Sequence, residues 1–131
     1  MTFPYTTAFL ALSDCTGETL VPFYQHLLGQ APTLHIPNVY AEFRLSGLRL
    51  GIFKPQASHQ LEFSQPSSGS MSLCLEVEHL ESAIAHLTTL GYPPTGAVTI
   101  ASHGREIYAY DPAGNRLILH ETAKPSQEKG L

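Results

Sequence analysis

Seven histidines (His26, His35, His59, His79, His86, His103 and His120) raise the question of a metal centre or an acid–base site. A metal site needs about three or four donors converging on one point. The surrounding patterns scatter most of these rings. His26 and His86 fall on the outer sides of helical segments, His59 and His103 in loops, and His79 near the start of the second helix. His35 and His120 are the two expected to reach a shared strand surface. A metal site rebuilt from His120 with Glu76 or Glu106 is the donor set left to weigh, and two or three scattered groups make a weak one.

Arginine is distributed more pointedly. Arg44, Arg49 and Arg116 alternate in phase with tyrosines, whereas the lysines (Lys54, Lys124, Lys129) fall at strand ends or in the tail. A guanidinium suits bidentate recognition of a carboxylate or phosphate. These arginines therefore read either as anion-recognising groups or as internal partners of Glu42, Glu76 and Glu106. Tyr40, Phe53, Tyr108 and Tyr110 can build an aromatic wall for a planar or cationic ligand, or pack across strands or in a dimer interface. No Ser–His–Asp arrangement, glycine-rich phosphate loop or redox cysteine pair is present. Asp111 and Asn115 bracket a Pro-Ala-Gly turn, where Asx side chains bond their own backbone, so a turn role explains them better than catalysis.

Two similar stretches set the framework that must position these groups. Phe23-Tyr-Gln-His-Leu-Leu-Gly-Gln-Ala-Pro32 resembles Ala85-His-Leu-Thr-Thr-Leu-Gly-Tyr-Pro-Pro94: a helix end, a Leu-Gly stop and then proline. A short alternating strand precedes each (Thr7–Ser13 and Ser72–Val77), and three more strand candidates follow each. Leu20, Phe23, Tyr24 and Leu27 make one helical stripe, with Pro22 either in the first turn or at a kink. Leu80, Ala83, Ile84, Leu87 and Leu90 make the other. In the strands, period-two alternation puts aliphatic residues on one face. Tyr40, Glu42, Arg44, Arg49, Phe53, Glu76, Glu106, Tyr108, Tyr110, Arg116 and His120 fall on the other.

Composition removes whole function classes. The chain has 131 residues, a hydrophobic share of 43%, a charged share of only 14% and a net charge of −4, enough for one compact domain and too acidic for a nucleic-acid footprint. No apolar run approaches the ~18 residues of a membrane span. The first residues lack a basic n-region, so no signal peptide is expected. Cys15 and Cys74 read as two small hydrophobes of a cytoplasmic protein. Six charges expected on one sheet face, in a chain so sparing with charge, point to a polar pocket or interface.

The doubled strand–helix–three-strand unit, the FY-x-x-x-LG run from Phe23 to Gly29 and the Asp-Pro-x-Gly-Asn-x-Leu run from Asp111 to Leu117 carry a resemblance. Over roughly residues 5–121 the chain resembles the glyoxalase / bleomycin resistance / dioxygenase proteins, the vicinal oxygen chelate superfamily. The resemblance implies an α+β fold. Two βαβββ modules in tandem would form a curved, mostly antiparallel eight-stranded sheet with helices on the outer face. Module one would span about 5–54 and module two about 71–121, with a linker at 55–70 and a disordered tail at 122–131.

Members of that superfamily usually hold a divalent metal through donors at four strand positions. In this chain those positions fall on Thr7, Gly51, Ser72 and Ile118, none of which is a good ligand. The expectation is therefore a metal-independent small-molecule-binding protein with no cofactor. Its ligand would lie in the concave sheet pocket, held by Tyr40, Arg44, Arg49, Phe53, Glu106, Tyr108, Tyr110, Arg116 and His120. A homodimer is implied by the resemblance, with the modules paired within or between chains. The alternatives are a lyase or dioxygenase with relocated metal ligands, a metal-free enzyme using Glu106 or His120 as base with Tyr108 assisting, and a non-catalytic protein-interaction module.

Overall fold

The computed structural model describes residues 3–64 and 69–123. The chain separates into two compact units, residues 1–65 and 66–131. The first contains β1 (Leu10–Ser13), α1 (Leu20–Leu28), β2 (Leu34–Ile36), β3 (Tyr40–Leu45) and β4 (Leu48–Phe53), then a short turn of 3-10 helix and α2 (Gln60–Phe63). The second contains β5 (Leu73–Glu76), α3 (Leu80–Thr89), β6 (Thr99–Ala101), β7 (Gly104–Tyr110) and β8 (Arg116–Thr122).

The two βαβββ modules repeat one topology. The first sheet has the order β1-β4-β3-β2 and the second β5-β8-β7-β6. In each, the outer strand pairs in parallel with the last strand of its module and the remaining pairs are antiparallel. The eight strands thus lie in two four-stranded ladders.

The register follows the alternation. Ala41, Phe43, Leu50 and Ile52 are buried with Leu20, Val21, Phe23 and Tyr24 of α1. In the second unit Leu73, Ile107, Ala109, Leu117 and Leu119 are buried with Leu80 and Leu87 of α3. Removing each such large side chain from water contributes about 1.5–3 kcal/mol. The opposite face of each sheet is therefore left to the polar set.

The helix ends are fixed by different residues. α1 starts at Leu20, which leaves Pro22 in the first turn rather than at a kink. Its free N–H groups are met from the strand side: the Asp14 carboxylate, at the end of β1, accepts from the N–H groups of Thr16, Gly17, Thr19 and Leu20. In α3 the Leu80 N–H donates instead to Glu121 Oε1 on β8, at 2.7 Å. Gly29 and Gly91 follow the helices with φ of 67° and 92°, the left-handed conformation expected after the Leu-Gly stops.

The span 55–70 holds more than a linker: Ala57–His59 and α2 add helical turns there, and residues 65–68 lie outside the described residues. At the other end β8 runs through Thr122, and the rest of the expected tail from residue 124 also lies outside them. Among the described residues, no helix is long and apolar enough to cross a membrane.

Candidate functional site

The register puts the sequence-predicted groups on the polar faces as expected. In the first sheet Tyr40 lies opposite Phe53, Glu42 opposite Gly51 and Arg44 opposite Arg49. In the second, Glu76 and Glu106 flank His120 on its two sides, Tyr108 lies opposite Ile118 and Tyr110 opposite Arg116.

The first face is largely satisfied from within. The Tyr40 hydroxyl donates to Glu42 Oε1 at 2.9 Å, and Arg49 Nε approaches Glu42 Oε2 at 3.6 Å. The Arg49 guanidinium also sits over the Phe9 ring, 5.4 Å from its centroid. Burial, and then the Glu42 carboxylate, push the Tyr40 hydroxyl above its ordinary range, so it stays a hydrogen-bond donor. Phe53 is met edge-on by Phe63 of α2, with centroids 5.2 Å apart. Arg44 is exposed at the margin of this face. For Arg49, internal pairing is thus what the fold provides.

The second face is built differently. Arg116 does not pair with Glu76 or Glu106. It donates from Nη1 to Ser72 Oγ at 2.9 Å and from Nη2 to the Gly69 carbonyl at 2.8 Å. These neutral acceptors hold the guanidinium in place, and among the described residues no carboxylate compensates its charge. Beside it Tyr108 and Tyr110 are 47% and 38% exposed, so aromatic surface borders a fixed cation. Tyr108 Oη reaches Glu106 Oε2 only at a long 3.4 Å.

Farther along β8, Glu76 Oε1 lies 2.6 Å from His120 Nδ1, and Thr122 Oγ1 donates to Glu76 Oε2 at 2.9 Å. The Thr122 hydroxyl bond, opposed by burial and assisted by His120, holds the Glu76 carboxyl below its ordinary range. His120 Nε2 in turn lies 2.9 Å from His103 Nδ1, the rings tilted by 30°.

Two placements correct the sequence reading, and a third, Arg105, agrees with it and adds its partners. His103, expected in a loop away from the site, joins His120. Its neighbour Gly104 lies so close to β8 that a Cβ there would stand 2.1 Å from the Glu121 carbonyl oxygen, and it has φ of 143°. The loop is thereby drawn over the strand by an approach to Glu121 that no local pattern in the sequence signals. His35, expected to reach the polar face, lies opposite Ala41 and so on the helix side, 3.9 Å from Glu18. Arg105, absent from the expected polar set, lies on the helix side, where it pairs with Glu81 at 2.6 Å and Glu121 at 2.9 Å. The Arg105 bond holds the Glu81 carboxyl down at about 2.

Asp111 closes its turn as expected. It is 3% exposed, and its carboxylate accepts from the N–H groups of Ala113 and Asn115 and from the Asn115 side-chain amide.

The metal-donor positions implied by the resemblance do not fit a divalent ion. Gly51 has no side chain, and a Cβ there would meet Tyr40 Oη at 2.8 Å and Phe9 at 3.3 Å. Ser72 is bonded to a guanidinium, Ile118 is apolar and Thr7 is a weak donor. Among the described residues, no group of three or more His, Cys, Asp or Glu side chains could hold a metal ion.

Solved structures share this fold. A glyoxalase-related enzyme from Fulvimarina pelagi aligns with a TM-score of 0.72 and 22% identity, over 89% of this chain and 88% of its own. A glyoxalase / bleomycin resistance protein from Catenulispora acidiphila aligns at 0.66 and 20%, over 91% and 100%. The lactoylglutathione lyase from Agrobacterium tumefaciens aligns at 0.67 and 20%, over 90% and 95%. No family model matches the chain, and no curated protein matches it. The chain therefore has the glyoxalase / bleomycin resistance fold, and the resemblance read from its motifs holds at the level of that fold.

Proposed function

We propose that this protein binds a small organic anion without a metal, on the polar sheet face of its second module. The observation that carries the reading is the Arg116 guanidinium bonded to Ser72 and Gly69. At Ser72, where the metal-binding relatives are expected to offer a ligand, this chain holds a fixed cation that a divalent ion would be repelled by. Arg116 is the anchor for a carboxylate or phosphate. Tyr108 and Tyr110 supply the aromatic surface, and Glu106 and His120 add polar contacts. Tyr40, Arg49 and Phe53 hold the first face in shape through Glu42, Phe9 and Phe63.

The test is a melting-temperature panel of small aromatic carboxylates and phosphates, with metal content measured on the same protein. At a ligand concentration about 100 times Kd, binding contributes about 2.7 kcal/mol to stability, a shift of several degrees. The expected result is a saturable shift for at least one anion, lost in Arg116→Ala and reduced in Tyr108→Ala. Stoichiometric, tightly held Zn²⁺, Ni²⁺, Mn²⁺ or Fe²⁺ would overturn the metal-independent reading. A panel without any saturable shift would overturn the binding reading.

A further inference from the structure

We infer that Glu76, His120 and His103 form a relayed acid–base site whose basic atom is His103 Nε2. The inference deepens the proposed binding face: it adds proton transfer at the end of that face away from Arg116.

The hydrogen-bond polarity leaves a single arrangement of protons for the neutral rings. A carboxylate only accepts, so His120 must donate to Glu76 from Nδ1. Its Nε2 then carries a lone pair, and His103 must donate to it from Nδ1. His103 is left with the lone pair on Nε2, and the residue is exposed. The ordering of the two rings thus starts at one carboxylate, which Thr122 fixes from its other oxygen.

A proton taken at His103 Nε2 need not stay there. The Nδ1 proton of His103 can pass to His120 Nε2, placing the positive charge on the ring bonded to Glu76. The donor keeps the bonding electron pair of the proton that it gives up, and the same path run backwards returns the proton, so no other reactant is required. Glu106, opposite His120 across the β7–β8 ladder, is the second carboxylate facing the charged ring. From β5 the facing group is Glu76, and the Arg105–Glu81–Glu121 cluster lies on the helix side of the sheet. Ile118 and Tyr108 lie next along the same face. The fitting substrate class is a small molecule with an apolar or aromatic body and an acidic C–H, O–H or S–H.

Diethyl pyrocarbonate tests the site without a substrate, since it acylates unprotonated imidazole nitrogen and releases carbon dioxide and ethanol. Carbethoxylation of each histidine is followed by mass spectrometry across pH 5–8, as an experimental range about the ordinary histidine value near 6.5. Wild type is expected to react several-fold faster at His103 than at His59. Glu76→Gln keeps a hydrogen-bond acceptor beside His120 but removes its charge. It is expected to slow His103 at least threefold at pH 8 and, because loss of the carboxylate charge favours the unprotonated rings, to move its pH profile to lower pH, with His59 unchanged. His120→Gln, which cuts the relay, is expected to do the same. Unchanged His103 rate and profile in both variants would overturn the relay. Because this readout involves no bound anion, a failure of the melting-temperature panel would leave it standing, and the reverse.

Discussion

Gly104 shows how much of the site hangs on one backbone position. Its φ of 143° and the 2.1 Å approach that a Cβ would make to the Glu121 carbonyl allow no side chain without moving β8. That approach draws the β6–β7 turn against the strand end, with the Ala123 N–H donating to the His103 carbonyl. Gly104→Ala is expected to lower stability by at least about 1–3 kcal/mol, the usual magnitude of a forced backbone conformation. It should also break the His103–His120 bond. An unchanged urea midpoint would contradict this reading. Position 104 was not singled out from sequence, because its requirement comes from a strand 17 residues away at Glu121. Asp111 is the opposite case. Its carboxylate accepts from Ala113 and Asn115 within its own turn, which local turn chemistry announced.

Among the elements, the two helices show a repeat that is close in plan and divergent in detail. α1 is capped by Asp14, 4% exposed, and α3 by Glu121 from β8. Burial acts to raise the Asp14 carboxyl, but its bonds to Leu20, Thr16, Thr19 and Gly17 outweigh it and hold it below the ordinary range. The sign follows from linkage. A carboxyl lowered on folding stabilises fully above its unfolded value, about 3.9, and the contribution vanishes as pH falls through the lower folded value. Asp14→Ala is expected to cost about 2 kcal/mol near neutral pH, at the upper end for a lost cap. Asp14→Asn should lose less, and its gap to wild type in urea midpoint should shrink between pH 6 and pH 3. A gap that widens on acidification would count against the Asp14 assignment. The Leu-Gly stops and apolar stripes gave away both helices. The choice of capping carboxylate was not readable, since Glu121 is separated from Leu80 by 41 residues of chain.

For the whole molecule, the resemblance implies a homodimer, and we expect sedimentation to report about twice the 14.3 kDa of one chain at micromolar concentration. A monomer throughout that range would remove this expectation while leaving the two polar faces as described.

The sequence by itself determined the doubled βαβββ plan, the inward and outward faces of the longer strands, the helix stops and the Asp111–Asn115 turn. Each depends on periodicity or on bonds among near neighbours, which alternation and turn chemistry encode directly. Parity also brought Glu76, Glu106 and His120 to one face, because a strand's side chains can point only two ways. Only the tertiary structure decided which charges pair: Arg49 with Glu42, Arg105 with Glu81 and Glu121, and Arg116, among the described residues, with no carboxylate. It also turned His35 to the helix side and drew His103 onto His120. The physical reason is that a face is fixed by the phase of one strand. A partner is fixed by ladder register, loop path and the approach of distant backbone, as at Gly104, and one strand's pattern carries none of these.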